Sequence, residues 1–237
     1  MNPLRPWLTI VFVSIGLGTP ELRAGTDDLV TAMNQRMGRG INLGNALEAP
    51  QEGEWGMVLQ ESFFAEIAQA GFNSVRLPIR WSTHARKDRP YTIDPEFFDR
   101  VDWAIDQATS RGLITVINFH HIEEFYADPA SERVRCLSLG KLVADRYCNQ
   151  PETVVFEILN EPHGKLDAGI WNSLLVETLA VIRRSNPERF VIVGPVHWNN
   201  YQYLDLLQLP ENDRRLLVTF HYYEPFRFTH QGAEWVE

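Results

Sequence analysis

Cysteine and basic charge are the two things this sequence has little of. Its two cysteines, Cys136 and Cys148, both fall in a segment with helical patterning, Ser131 to Cys148. Twelve residues along a helix span roughly 18 Å, far beyond the roughly 7 Å that a disulfide bridges. Two packed, unbridged thiols are expected, and neither lies near His and Asp at a spacing that zinc would use. Lys and Arg total 22 against 31 Asp and Glu, a formal net charge of −9. That balance argues against nucleic acid as a partner, whereas a neutral polymer demands no basic surface. Long apolar runs are missing too. The longest, Trp7 to Leu17, is too short to span a bilayer comfortably, so no membrane partner is expected. With Arg5 before it and small residues after it up to Ala24-Gly25, the run has the layout of a secretory signal, imperfect only in the bulky Leu22. Residues 1–24 are therefore read as a signal peptide on a secreted protein. Residues 25–237 are read as one domain, since 44% hydrophobic content suffices for a single sizeable core.

Beyond Arg39 the chain alternates strand-like and helix-like stretches with no hairpin between strands. Strand candidates are Gly40–Gly44, Asn73–Ile79, Leu113–Phe119, Thr153–Leu159, Phe190–Val193 and Leu216–Phe220. Between them, Glu61–Ala70 puts Phe63, Phe64, Ile67 and Ala68 on one helical face. Asp94-Pro95-Glu96 supplies an N-cap, a first-turn proline and a first-turn acid ahead of Phe97, Val101, Ala104, Ile105 and Ala108. Ser131–Tyr147 and Ile170–Arg184 are two further helices, and Tyr203–Leu207 is a short one. A βα unit repeated in this way predicts a parallel sheet. Chemically capable residues sit at the strand ends on one side: Asn45, Arg76, His120 and His121, Asn160 and Glu161, Trp198, His221 and Tyr223. Sites assembled from many strand ends are the habit of the (β/α)8 TIM barrel, and an α/β barrel of about six βα units is predicted here.

Within that frame Phe156-Glu157-Ile158-Leu159-Asn160-Glu161-Pro162 is the decisive stretch. Thr153 to Leu159 is apolar and β-branched with no helical period, as in a strand buried on both faces. Pro162 has no N–H and a fixed φ, so Glu161 stands at or just past the strand's carboxyl end, the edge where parallel α/β folds bind ligands. A carboxyl there suits general acid work such as protonating a glycosidic oxygen. For Arg76, pairing with a buried carboxylate and contact with substrate both remain open, Glu157 being the natural partner. Asn45 and Glu48 are open to turn formation as well as to binding. His120 and His121, adjacent on a strand, should point to opposite faces, which disfavours a shared metal and leaves hydrogen bonding to hydroxyls. His221 and Tyr223 should share a face. No metal and no cofactor is expected.

Asn160-Glu161-Pro162 resembles the signature of glycoside hydrolase clan A, family 5, the cellulase and endoglucanase family. Asn42 to Glu48, Ser74-Val75-Arg76-Leu77-Pro78, Asn118-Phe119-His120-His121 and His221-Tyr222-Tyr223 match that family in order. The stretch Phe228 to Trp235 is similar to the branch with both cellulase and mannanase activity. The resemblance implies a retaining endo-β-1,4-glucanase with Glu161 as acid/base and Asn160 holding the substrate's 2-hydroxyl. It implies a partner that is a β-linked polysaccharide or oligosaccharide (cellulose, β-glucan, mannan), and His230 and Trp235 lining the cleft. It also implies a nucleophilic Glu at the end of a seventh strand, about 5–5.5 Å from the acid. The sequence stops at Glu237, in the loop after the sixth strand, so a C-terminally truncated, poorly active hydrolase is expected. The alternatives are a mannanase, another β-glucan-specific hydrolase, or a non-catalytic carbohydrate-binding fragment.

Overall fold

The computed structural model describes residues 24–233. All of the expected signal peptide except Ala24 lies outside them, as does Trp235. Six strands, β1 (Gly40–Asn42), β2 (Ser74–Leu77), β3 (Ile114–Asn118), β4 (Val154–Glu157), β5 (Val191–Val193) and β6 (Leu216–Val218), form one sheet in chain order. Every pairing is parallel. The helices in chain order are α1 (Ala24–Met37), α2 (Glu61–Gln69), α3 (Pro95–Thr109), α4 (Glu123–Ala127), α5 (Pro129–Arg146), α6 (Ala168–Ser185), a four-residue turn α7 (Val196–Asn199) and α8 (Phe226–Thr229). A 3-10 turn covers Tyr201–Leu206. Among the described residues no helix is long and apolar enough to cross a membrane.

Aspartate caps start the three long helices that follow strands. Asp94 accepts from the Glu96 N–H, Asp128 from Ser131 and Asp167 from Ile170, with Pro95 and Pro129 in the first turns of α3 and α5. Helix α3 buries Phe97, Val101, Ala104, Ile105 and Ala108 along one stripe, the larger of them contributing on the order of 1.5–3 kcal/mol each. The helices pack on the strand residues Val75, Leu77, Ile117, Val154, Phe156, Val191 and Val193.

The alternate residues of the same strands make the inner face. Toward the amino ends it is apolar, with Ile114, Val116, Val155, Phe190, Ile192 and Leu217 packed with Met33 and Met37. One or two residues further on it turns polar, through Arg76, Asn118 and Glu157. The period of two therefore places the chemistry directly above the core.

The strands are shorter than the sequence suggests. Pairing still reaches beyond them: the His120 N–H bonds Ile79 C=O at 2.9 Å, and the Asn160 N–H bonds Phe119 C=O at 2.8 Å. Helix α1 was not anticipated. Met33 and Met37, four apart on one face, are buried in the core and Val30 packs partly buried against it, while Leu29 stays exposed, so the stretch carries a weak apolar stripe. Cys136 and Cys148 are free thiols. Burial pushes Cys136 up to about 12, which keeps it an unreactive thiol.

Candidate active site

The site grows out of the end of β4. Arg76 on β2 donates from Nε and Nη2 to the two oxygens of Glu157, each at 2.6 Å. The same Nη2 donates to Asn160 Oδ1 at 2.9 Å, and Nη1 to Asn42 Oδ1 at 3.3 Å. Burial opposes the charge on Arg76, but Glu157, with Glu161 behind it, outweighs burial and raises its pKa. A guanidinium only donates, so it settles which way the Asn160 amide faces: the oxygen is taken and the NH2 is left to donate elsewhere. Of the two uses open to Arg76, the carboxylate pair is the one formed.

Glu161 follows in left-handed backbone, φ 48, unusual for a non-glycine residue and the more so before Pro162, since a proline favours extended backbone in the residue ahead of it. Its Oε1 lies 2.6 Å from His221 Nδ1. Its carbonyl accepts from His163 Nδ1 at 2.6 Å. The Tyr126 hydroxyl on α4 donates to Asn160 C=O at 2.7 Å and reaches His120 C=O at 3.2 Å, tying the ends of β3 and β4 together.

His120 is the best-defined imidazole. The Asn118 Oδ1 accepts the Ile79 N–H at 3.1 Å, so the Asn118 NH2 faces His120 Nδ1 at 3.2 Å. Nδ1 must accept, and the proton sits on Nε2. Burial, then the charge of Arg76, pushes His120 down to about 2, so it is neutral at any working pH. The expectation of opposite faces for His120 and His121 is corrected here: their rings meet edge to face at 4.6 Å. Both lie past the end of β3, where strand alternation no longer applies. Burial and Arg80 together lower His121.

Tyr223 sits 6.1 Å from the His221 ring, and its ionisation is opposed first by desolvation and then by the charge of Glu161. His230 packs on Tyr223 at 5.0 Å. Trp198, 54% exposed, stacks on His163 at 5.1 Å and 11°. Glu48 is buried, its carboxylate taken up by the backbone N–H groups of Asn45 and Ala46. Burial raises its pKa, while those bonds and Arg76 oppose the rise. Asn45 is left-handed at φ 64 and exposed beside it, so the turn-forming role is realised in this loop.

The structure thus brings Arg76, His120, His121, Asn160, Glu161, His221, Tyr223 and, through ring contacts, Trp198 and His230 to one end of the sheet. Trp235 lies outside the described residues. Sequence reasoning missed Tyr126, His163 and Trp55, the last packed on His121 at 6.0 Å. A Tyr on a five-residue helix carries no pattern, but a His two residues after Glu161 was a readable signal. Among the described residues no group of three His, Cys, Asp or Glu is arranged to hold a metal ion.

The family profile described as Cellulase (glycosyl hydrolase family 5) matches residues 34–237. The chain belongs to glycoside hydrolase family 5. Endoglucanase H of Acetivibrio thermocellus is 41% identical over 199 residues, 84% of this chain but 22% of that relative. Endoglucanase B of Ruminococcus albus is 29% identical over 240 residues, 88% of this chain and 58% of its own length. The chain thus spans well under two thirds of these curated relatives. Among solved structures, endoglucanase Cel5A from the hyperthermophilic Thermotoga maritima superposes with a TM-score of 0.86 at 52% identity, covering 88% of this chain and 67% of that one. The family fold is the (β/α)8 barrel, and the six parallel strands here are its first six βα units in order.

Proposed function

We propose that this chain forms the acid/base half of a retaining endo-β-1,4-glucanase cleft. Glu161 protonates the leaving glycosidic oxygen and then, as carboxylate, takes a proton from the attacking water. Asn160, its oxygen held by Arg76, donates its NH2 to a sugar hydroxyl beside the broken bond. His120, neutral and protonated on Nε2, is a second fixed donor. Trp198 offers the flat apolar face that a pyranose ring stacks on. The observation that carries this reading is the clamp Glu157–Arg76–Asn160 directly beside a Glu161 whose carboxyl is fixed by His221.

Retaining chemistry also needs a nucleophilic carboxylate about 5–5.5 Å from the acid. Among the described carboxylates near this network, Glu157 is engaged through both oxygens by Arg76, Glu48 by the backbone N–H groups of Asn45 and Ala46, and Glu123 lies against His121 at 3.6 Å. We therefore assign binding and proton transfer to the chain, and nucleophilic attack to a group beyond residues 24–233. A mixed glucan and mannan specificity has a specific support: Cel5A of Thermotoga maritima, 52% identical, has been crystallised with cellobiose and with mannotriose. We further place the protein outside the cell, on the signal-like pattern from Arg5 through Trp7–Leu17 to Ala24. N-terminal sequencing of protein recovered from culture medium checks that, with a start near Gly25 expected.

The functional test is calorimetric titration of the 237-residue chain with cellotetraose and with mannotriose. Binding of at least one, weakened by Asn160→Ala and Trp198→Ala, is expected. No binding of either sugar at about 10 mM, weaker than almost any specific site, overturns the reading.

A further inference from the structure

The left-handed turn after β5 is the costliest piece of backbone near the site. His197, Trp198 and Asn199 have φ of 57, 59 and 55 in succession, where non-glycine residues seldom appear even singly. Its last member, Asn199, is completely buried, and its Oδ1 has no hydrogen-bond partner among the described residues. Strain and an unsatisfied polar atom at one residue call for a return elsewhere.

That return lies at His221. The Asn199 C=O accepts the His221 N–H at 2.8 Å, and the Asn199 Nδ2 faces His221 Nε2 at 3.4 Å. The amide lies across Gly194, where a β-carbon would stand 2.4 Å from Oδ1, 2.6 Å from Cγ and 2.9 Å from Nδ2, Oδ1 being the nearer of its two polar atoms. The glycine Cα–H is a weak donor suited to an oxygen, whereas an NH2 turned that way would find no acceptor. An NH2 only donates, so Nε2 must be the bare nitrogen of the ring and the proton must sit on Nδ1, aimed at Glu161 Oε1 at 2.6 Å. Asn118 sets the tautomer of His120 by the same device on the neighbouring strand. The other groups facing His221 are His120, which is neutral, and Tyr223, whose ionisation is opposed. Neither supplies an acceptor contact to Nε2 in place of Asn199.

We propose that Asn199 is a positioning residue that acts through His221: its amide denies a proton to Nε2 and so keeps His221 a neutral imidazole donating one hydrogen bond to Glu161. A doubly protonated His221 would pair with Glu161 as a cation and hold it as carboxylate, stripping the general acid of the proton it must give. The functional part of this inference rests on reading Glu161 as that acid, whereas the statement about the ring does not.

The test is long-range proton–nitrogen NMR of the histidine side chains of the whole chain at neutral pH, with His221 assigned from a His221→Gln variant. Wild type should show Nε2 as an unprotonated, pyridine-type nitrogen and Nδ1 as protonated. Asn199→Gly keeps the left-handed backbone comfortable and removes the amide, and should raise the Nε2-protonated fraction roughly tenfold, the scale of one hydrogen bond to a charged group. Asn199→Asp, of the same shape but accepting, should protonate Nε2 outright and serves if the glycine variant does not fold. A protonated Nε2 in wild type, or an unchanged Nε2 signal in whichever variant folds, overturns the proposal. If the ring behaves as stated but Glu161→Gln leaves hydrolysis by a longer, active form untouched, it is the reading of Glu161 that fails.

Discussion

Replacing Arg76 by Met separates a buried ion pair from an ornamental one. The side chains of Arg76 and Glu157 keep 13% and 3% of their surface and meet through two 2.6 Å bonds, so removing the cation leaves Glu157 charged and uncompensated. Breaking such a pair costs about 3–5 kcal/mol, against about 0–1 kcal/mol for an exposed one. For a domain of this size the loss corresponds to a fall in Tm of about 10 °C. Urea denaturation followed by circular dichroism measures it. Adding Glu157→Leu removes the stranded charge and should restore at least about 2 kcal/mol, because an apolar pair of similar volume often does as well as a buried ion pair. Glu157→Leu does not restore the hold on Asn160 Oδ1, so sugar binding should stay weak in the double variant. A cost below about 1 kcal/mol for Arg76→Met, or a double variant no more stable than the single one, refutes the argument.

Glu161→Gln should leave cellotetraose affinity within about threefold, while in a longer form carrying the family's second Glu it lowers turnover by roughly 10²–10⁴, measured by product chromatography. The purified 237-residue chain should release little or no product from cellulose or mannan, and substantial hydrolysis would show that this chain already holds a nucleophile. Because His120 is held from its ordinary value of 6.5 down to about 2, the unfolded chain binds this proton and the folded one does not. Stability should therefore fall as pH drops from 6.5 toward 2, by about 1.4 kcal/mol per pH unit at most, and His120→Gln should flatten that slope in acid denaturation. Arg189 is 7% exposed and gives its donors to the carbonyls of Tyr147, Gln150, Pro151 and Val154 and to Asn186 Oδ1. Arg189→Met should cost about 3 kcal/mol or more in the same urea assay, since several buried carbonyls lose their donor together.

The barrel was legible because each of its units states its own boundaries. Asp94-Pro95 and Gly112 bracket one helix, and β4 is too apolar to be anything but doubly buried. The partnership of Arg76 with Glu157 followed from the cost of burying either alone. What stayed hidden depends on contacts that no local pattern encodes. Helix α1 is held through two methionines and a partly buried valine. Tyr126 reaches two carbonyls from a helix of five residues. The rings of His120 and His121 turned out to touch because the strand ends two residues before His120, a boundary that alternation cannot reveal. Glu48, open in the sequence to turn formation or to binding, accepts the N–H groups of its own turn, a choice that composition alone does not make.

On β3 and β4, the step from an apolar inward residue to a polar one beside the site is a move of two positions. Val116 and Asn118, or Val155 and Glu157, belong to the same face and differ only in height. Substitutions at the upper position can rewrite which hydroxyl is greeted, while those at the lower decide whether there is a protein to do the greeting. A laboratory seeking new specificity here can randomise the top tier and leave the foundation alone.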